Sequence, residues 1–320
     1  MSVLYVSPVG QDDNEGTAKF PFETITRALQ QARPGNVIQL APGLYQAGEQ
    51  FPLQVPAGVT IAGDATRSTT IQGSGEVQGR QAAVVLSDRA QVREVTITNP
   101  GGIGIVTTEG AALVVRNRLI GCQEHGTLVM GSAQPFLSEN EFADNGLTGL
   151  AIVDSAKGEI RQNQFKRTGD AIALRSNAAP LVINNQFTDN RCAILVTDTA
   201  RPVLRQNQAK NSQETGLWTQ NRAQPDIGQP QDLGGNWFEG KIYDIRNDAI
   251  TPIVTAGNQL NPNRIKGSIA YLPSEIPDEA AVPAVLLGNV APAEHPTPTL
   301  PSTPEDSTSL DSRFNDLVGH

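Results

Sequence analysis

The sequence has few of the residues that form most compact cores. Aromatic residues make up 5% of its 320 residues, and it has only two cysteines, Cys122 and Cys192. It contains 30 glycines and 22 prolines. This composition is typical of many short strands and turns rather than of long helices.

Basic residues are scarce as well. Lysine and arginine number 24 against 33 aspartates and glutamates, which gives a net charge of −9. No basic run or stripe occurs, so we do not expect nucleic acid as a partner. An acidic surface also repels acidic polysaccharides unless a local basic groove or a bound cation offsets the charge.

The sequence shows no pattern typical of a targeting or membrane-spanning segment. The opening MSVLYVSPVG has no basic region followed by an apolar stretch, unlike a secretory leader. No segment approaches the roughly 18 apolar residues of a membrane span. The expected location is therefore cytoplasmic, or extracellular or periplasmic if a longer precursor was trimmed.

What the sequence does contain is a repeat of 22 or 23 residues. An asparagine recurs at this spacing at Asn117, Asn140, Asn163, Asn185 and Asn207. A small residue recurs at the same spacing at Gly104, Gly126, Gly149, Ala171, Ala193 and Gly216. A fixed period of this size indicates a repeat architecture. The units alternate with period two and lack a helical run of ten residues, which leaves a β-solenoid.

Each predicted coil has three short strands and about 22 residues. The first strand follows the small residue, the second precedes the asparagine, and the third carries an apolar or aromatic residue two positions after it. The asparagine is expected to allow a tight left-handed bend and to bond its neighbours from coil to coil. Two inward rows are predicted to form one continuous core, namely Ile105, Thr127, Leu150, Ile172, Ile194 and Leu217, and Thr107, Val129, Ile152, Leu174, Val196 and Thr219.

This repeat also predicts the state of the cysteines. Cys122 and Cys192 lie three coils apart, which is roughly 14 Å at ~4.8 Å per coil. That exceeds the ~7 Å limit for a disulfide. Both cysteines are therefore predicted to be free thiols.

The asparagine repeat resembles the pectin-lyase-like superfamily of right-handed parallel β-helices, over roughly residues 1–270. The opening, YVSPVGQDDNEGT with PFETITRALQQA and GNVIQLAPGLY, is similar to a domain of unknown function at the start of many such bacterial proteins. This second resemblance implies a first strand, a short helix that closes the end of the coil, and the first full coil, all within residues 1–45.

The ends of the chain have their own patterns. Phe22, Ile25, Ala28, Leu29 and Ala32 share one helical face, which predicts a capping helix over residues 22–33. Eight of the 22 prolines fall between Pro273 and Pro304. We therefore predict a β-helix over residues 1–272 and a largely disordered Pro-rich tail over residues 273–320, with short docking segments such as residues 281–290.

The superfamily resemblance implies that a sugar-cleaving enzyme would carry charged residues on the outer side of the first strand. The outward row there is apolar throughout: Val106, Leu128, Ala151, Ala173, Leu195 and Trp218. Strands that are apolar on both faces are normally covered on both. We expect residues 281–290, or a partner, to cover this row.

A candidate catalytic set lies at the end of the same strands. Asp154 and Asp198 are two coils apart, roughly 9–10 Å between backbones, with Arg175 between them. Inverting glycosidases separate their carboxylates by about 6.5–9.5 Å, and Arg175 would hold an acidic sugar. The alternative is that these aspartates are ordinary turn residues.

A candidate binding set lies on the outer side of the third strand. Gln164, Gln186 and Gln208 continue a polar column, and amides donate and accept hydrogen bonds to sugar hydroxyls. Trp218 on the first-strand face is added to this set. The alternative is a solvated strand face. His125 is expected to be structural or solvated, no metal ligands or cofactor are expected, and Ca²⁺ is left open as an alternative.

Three functions follow from these patterns. The first is a non-catalytic β-helix that binds a polysaccharide or serves as a scaffold. The second is a polysaccharide-active enzyme, a lyase, hydrolase or epimerase, with Asp154, Arg175 and Asp198 as its site. The third is a module that docks a protein partner through the apolar strand face or the Pro-rich tail. A fold alone does not decide between them.

Overall fold

The protein is a parallel β-helix. The structure, a computed structural model, describes residues 2–64 and 68–273, and Met1–Ile276 form one compact unit. The chain winds through three parallel sheets, with one strand in each sheet per coil. The predicted all-β fold is confirmed. The predicted tail lies outside the described residues except for Pro273, so its disorder and the domain boundary stay predictions.

The three sheets are named here in the order in which a coil visits them. The first sheet contains Leu53–Val55, Arg80–Leu86, Ile103–Thr107, His125–Val129, Thr148–Ile152, Asp170–Leu174, Cys192–Val196, Thr215–Asn221, Tyr243–Ala249 and Ile265–Lys266, with Gly75–Val77 paired antiparallel to Arg80–Leu86. The second contains Val3–Val6, Val37–Leu40, Thr60–Ala62, Gln91–Arg93, Leu113–Val115, Phe136–Ser138, Glu159–Arg161, Leu181–Ile183 and Val203–Arg205. The third contains Gly43–Tyr45, Thr69–Gln72, Thr96–Thr98, Arg118–Ile120, Glu141–Ala143, Gln164–Lys166, Gln186–Thr188, Gln208–Ser212 and Trp237–Gly240. Ile253–Thr255 pairs with Ile269–Tyr271 in a small fourth sheet, and Pro262–Arg264 form a 3₁₀ turn.

The core is continuous from coil to coil. Ile105 pairs with Thr127, and Thr107 with Val129, and this register repeats through the next four coils. Every residue of the two predicted inward rows is at most 1% exposed. Both predicted rows are therefore confirmed, and no single coil could bury its apolar residues without its neighbours.

A stack of phenylalanines explains the row of small residues. The ring of Phe165 stacks on Phe142 at 4.6 Å and on Phe187 at 5.1 Å between centroids. A Cβ on Gly149 would lie 2.7 Å from Cδ1 of Phe165, and a Cβ on Gly126 would lie 2.8 Å from Cδ1 of Phe142. The large third-strand residues thus occupy the space that a larger residue in the small row would need.

The asparagines form a buried ladder at the corner between the second and third sheets. The amide oxygen of each rung accepts from the backbone N–H and the side-chain amide of the preceding rung. Asn236 and Asn258 extend the ladder by two rungs. The expected left-handed bend is one position off, because the residue before each rung has the positive φ, as in Gln162 at 55° and Gln206 at 55°.

A longer excursion interrupts the repeat between Asn207 and Asn236, which are 29 residues apart. The half-buried network that holds it centres on Arg205, whose Nη2 lies 2.9 Å from Oδ2 of Asp226 and 2.7 Å from Oδ2 of Asp232. Nη1 of Arg205 also donates to the carbonyls of Leu204 and Asp226. The ion pairs and hydrogen bonds of the buried Arg205 guanidinium hold the excursion against the coil.

A helix packs at the N-terminal end of the solenoid. It spans Ile25–Gln31 and is shorter than the predicted 22–33, because Thr24 is its N-cap and accepts from the backbone of Arg27. Phe22 precedes the helix and forms a bridge with Val6 instead. The predicted apolar face is confirmed, since Ile25 and Ala28 are fully buried and Leu29 and Ala32 pack against the core.

Two further expectations can be compared with the structure. Cys122 and Cys192 are both buried and free, as predicted. Among the described residues, no helix has the length and apolar character needed to cross a membrane.

Candidate functional site

The apolar row on the outer side of the first sheet is buried. Val106, Leu128 and Ala151 are 2%, 3% and 4% exposed, and Leu195 is 6% exposed. Val77, in the arm that folds back on Arg80–Leu86, packs against the apolar cluster to which the first three of these residues belong. This row is therefore not a free docking surface. The predicted covering segment, residues 281–290, lies outside the described residues.

A second outward row lies at the start of these strands. Ala171 and Ile172 both belong to the main core, so two successive residues point inward and Asp170 faces out. Stacked in register with Asp170 are His125, Thr148, Cys192 and Thr215. The repeat spacing aligns these residues from coil to coil. Strict alternation along the strand, however, predicts that they point inward, whereas they point outward in the structure.

This second row forms one wall of a cleft of about 360 Å³ on the first sheet. Small apolar residues lie in the cleft, with polar and charged groups around them. Its lining is Arg80, His125, Leu128, Leu147, Thr148, Ala151, Val153, Asp170, Ala173, Arg175 and Arg191. A volume of this size with a few convergent polar groups is typical of a small-ligand site.

The imidazole of His125 is half-buried in the cleft. Its Nδ1 lies 2.8 Å from Oγ1 of Thr148. Burial lowers the pKa of His125 to about 4, and the positive charges of Arg80 and Arg175 act in the same direction. The imidazole is therefore neutral at pH 7, and in the tautomer whose Nδ1–H donates to Thr148, Nε2 is free to accept a proton.

Asp170 is buried and ion-paired. Its Oδ1 lies 2.5 Å from Nη2 of Arg191, whose Nη1 is 3.6 Å from Oε2 of Glu214. Burial raises the pKa of Asp170, although Arg191 and Arg175 oppose that shift. Arg191 is thus engaged with two carboxylates and braces the wall of the cleft.

Arg80 and Arg175 differ from Arg191 in their close contacts, although the charge of Arg175 acts on Asp170 and Asp198. Both side chains are exposed, and neither forms an ion pair or a side-chain hydrogen bond with the described part of the chain. A guanidinium without a carboxylate is ready to bind an anion, in bidentate fashion where geometry allows. The cleft is therefore a local basic groove on an acidic chain.

Of the three predicted catalytic residues, only Arg175 lines the cleft. Asp154 and Asp198 lie in the turns after their strands, with φ of 59° and 60°. Asp154 accepts from the backbone N–H of Gly131 at 2.9 Å, and Asp198 from that of Ser176 at 2.8 Å, which lowers the pKa of Asp198. These contacts fit the turn alternative, and the catalytic role of the pair stays a prediction.

The predicted binding residues lie at two places. Gln164, Gln186 and Gln208 line a separate groove at the asparagine corner. Trp218 lies on the first sheet beyond Leu195, where the guanidinium of Arg246 stacks 4.2 Å from its ring centroid. Their roles in binding stay predictions. Among the described residues, no group of three or more His, Cys, Asp and Glu side chains is placed to hold a metal ion.

The fold and the sequence identify the class of protein. The strand topology is that of a parallel β-helix, the fold that the resemblance to pectin-lyase-like proteins predicted. The chain belongs to the family described as "Protein of unknown function (DUF1565)", whose model matches residues 8–265. It is also 45% identical to the uncharacterized protein YwoF of Bacillus subtilis (strain 168) over 42 residues, which span 13% of this chain and 9% of that protein.

Solved structures share the architecture at low sequence identity. Pectate lyase Pel9A matches with a TM-score of 0.55 and 13% identity, over 83% of this chain and 78% of that one. Pectin methylesterase from carrot matches with a TM-score of 0.52 and 13% identity, over 87% and 89%. At these identities the likeness establishes the fold and nothing about the chemistry.

Proposed function

We propose that this chain binds an acidic polysaccharide in the cleft on its first sheet, with Arg80 and Arg175 holding sugar carboxylates. The observation that carries the proposal is the exposed guanidinium of Arg175, which forms no ion pair or side-chain hydrogen bond with the described residues. Guanidinium groups bind carboxylates through paired charge-assisted hydrogen bonds. The overall charge of −9 would otherwise repel such a ligand, and the cleft supplies the local basic groove that offsets it.

Two further features support this proposal. Leu147 is exposed and Val153 half-buried where they line the cleft, so both apolar side chains can contact the faces of sugar rings. Some structural neighbours, a pectate lyase and an alginate lyase, are named for acidic polysaccharides. That resemblance is one of fold, so the argument depends on the side chains of this chain.

Binding of oligogalacturonate and oligoalginate, measured by calorimetry at low and high salt, tests the proposal. Arg175→Gln removes a charge-assisted contact of about 1.5–3 kcal/mol and should weaken binding roughly tenfold or more. Arg201→Gln is the matched control, because Arg201 is also exposed and lies outside the cleft. Absence of binding to both acidic oligosaccharides, or equal binding by both variants, would overturn the proposal.

Catalysis of β-elimination is a second candidate function, favoured by the neutral imidazole of His125 beside Arg175. In this reaction a guanidinium neutralises the sugar carboxylate, and Nε2 of His125 takes the proton next to it. The carbon–oxygen bond to the neighbouring sugar then breaks, a carbon–carbon double bond forms, and the leaving oxygen takes a proton from water.

The unsaturated product of elimination absorbs in the ultraviolet, which gives a direct assay. His125→Asn keeps a group that can bond Thr148 but removes the base, so turnover should fall by 10²-fold or more while binding persists. If the unaltered protein binds an acidic oligosaccharide and forms no unsaturated product, elimination is rejected and the binding proposal stands.

A further inference from the structure

The corner between the second and third sheets carries two columns of outward side chains. One column comes from the left-handed turn residues, and the other from the first residue of each third-sheet strand. In the early coils both columns are charged and ion-paired, as in Arg116 with Glu94 at 2.9 Å and Arg118 with Glu141 at 3.0 Å. Apart from Glu139, the charged side chains of that half are therefore engaged in ion pairs.

The later half of the same corner is built of amides. They are exposed side chains that surround a groove of about 310 Å³. The six residues are Gln162, Gln164, Asn184, Gln186, Gln206 and Gln208. Within the described part of the chain, none of these six side chains forms a hydrogen bond with another protein group. The buried asparagine ladder beneath them is fully bonded.

The chemistry of the groove selects its ligand. A free carboxamide offers two donors and an acceptor with two lone pairs, which matches the mixed character of a sugar hydroxyl. The six groups carry no charge, so they do not offset the repulsion of an acidic sugar by the chain's net charge of −9. In-register pairing places equivalent amides about 4.8 Å apart along a straight line. An extended ligand that lies parallel to the solenoid axis would meet one amide pair after another.

One end of the groove is marked by an aromatic residue. Trp237 pairs in register with Gln208 and so continues the strand column by one coil. It is half-exposed, and the ammonium of Lys210 lies 4.8 Å from its ring centroid. Aromatic side chains offer a large apolar face beside a polar edge, and this one lies within one strand spacing of the last amide.

We propose that this amide groove is a second binding site, for an extended, neutral polysaccharide chain. It lies at the asparagine corner, and the cleft with Arg175 lies on the first sheet; the two share no lining residue. The site therefore needs no charge on its ligand and works whether or not the cleft binds an acidic sugar.

Tryptophan fluorescence can observe this site alone, because the chain has only two tryptophans. Trp218→Phe leaves Trp237 as the single reporter at the groove. The probes are cellohexaose and xylohexaose, which are extended and neutral, maltohexaose, which is neutral and curved, and hexagalacturonate, which is acidic. We expect saturable changes in Trp237 emission with at least one extended neutral probe, and at least tenfold weaker responses to the curved and the acidic probe.

A triple variant in the same background, Gln164→Ala, Gln186→Ala and Gln208→Ala, should weaken that response at least tenfold. The matched control is Gln123→Ala with Gln134→Ala, since both residues are exposed glutamines away from the groove. If the triple variant fails to fold, Gln186→Ala alone should weaken binding about threefold. The proposal is overturned if neither extended probe binds, if the curved or acidic probe binds as well, or if the glutamine variants bind like the control.

Discussion

The amide oxygen of Asn163 accepts two hydrogen bonds of 2.9 Å from Asn140, one from its backbone N–H and one from its side chain. The amide nitrogen of Asn163 in turn donates to the carbonyls of Leu137 and Arg161 and to the oxygen of Asn185. One fully buried side chain thus satisfies groups in three coils. Since buried unpaired groups are costly, this rung is central to stability.

Replacement of this rung should have a large effect. Asn163→Ala leaves the buried N–H of Asn140 without its acceptor, at about 1–3 kcal/mol, and removes one hydrogen bond each from the side chain of Asn140 and the carbonyl of Leu137. We expect the free energy of unfolding in urea to fall by about 2–5 kcal/mol. Gln164→Ala, on the adjacent exposed residue, should change it by less than about 0.5 kcal/mol. Equal effects of the two variants would show that the ladder does not stabilise the coil.

The phenylalanine stack predicts a graded response. Phe165 is fully buried between Phe142 and Phe187, so Phe165→Ala removes two ring contacts and opens a cavity. We expect a loss of about 3–5 kcal/mol in the free energy of unfolding. Phe165→Leu retains most of the volume and should cost clearly less. Thermal unfolding followed by circular dichroism measures both, and a larger loss with leucine would contradict this packing.

His125 predicts a dependence of stability on pH. Its pKa is about 4 in the folded protein and 6.5 when unperturbed. Between these values the unfolded chain binds more protons, so the free energy of unfolding falls as the pH is lowered from 6.5 towards 4, by on the order of 1–3 kcal/mol. Below that window both states are protonated and the loss is complete.

The variant His125→Asn does not titrate in this range. Its stability should therefore change less with pH than that of the unaltered protein between pH 6.5 and 4. Urea unfolding at several pH values measures the difference in slope. Parallel slopes would mean that His125 is not buried as described. A proton-detected titration of the imidazole gives an independent reading of its pKa.

The two thiols should be inert in the folded state. Burial raises the pKa of Cys122 to about 12 and raises that of Cys192 well above its ordinary value. Only the thiolate reacts with alkylating reagents. Iodoacetamide at pH 8 should therefore modify neither residue until denaturant is added, as mass spectrometry can verify. Rapid modification of the native protein would reveal local opening of the first sheet.

Most of the coil could be predicted from the spacing of a few residues. Asn117 to Asn207 set the period, and the period placed Ile172 and Leu174 in the core. Alternation then failed at one point, because Ala171 and Ile172 both point inward. The small residue of this row packs in one core with the third-sheet phenylalanines, as Gly149 does beside Phe165, and that packing is not visible in a single strand.

The candidate site was harder to predict for the same reason. The bend turns His125 and Asp170 outward, whereas the alternating pattern placed on that side an apolar row and a second row with Arg175 as its single charge. The ion pair between Arg191 and Asp170 joins a turn to a strand, and no recurring spacing in the sequence predicts it. The useful signal was that His125, Asp170 and Cys192 recur at the repeat period and are chemically unlike their neighbours.

The backbone N–H groups of the asparagine column all donate in one direction along the chain. The backbone N–H of each rung is satisfied only by the oxygen of the following rung. During synthesis on the ribosome, the asparagine N–H of each new coil therefore has no acceptor until the next coil has been made. A nascent chain, or one shortened at any coil boundary in this region, ends in a rung whose donor has lost its acceptor, and that last turn should fray while the earlier ones stay wound.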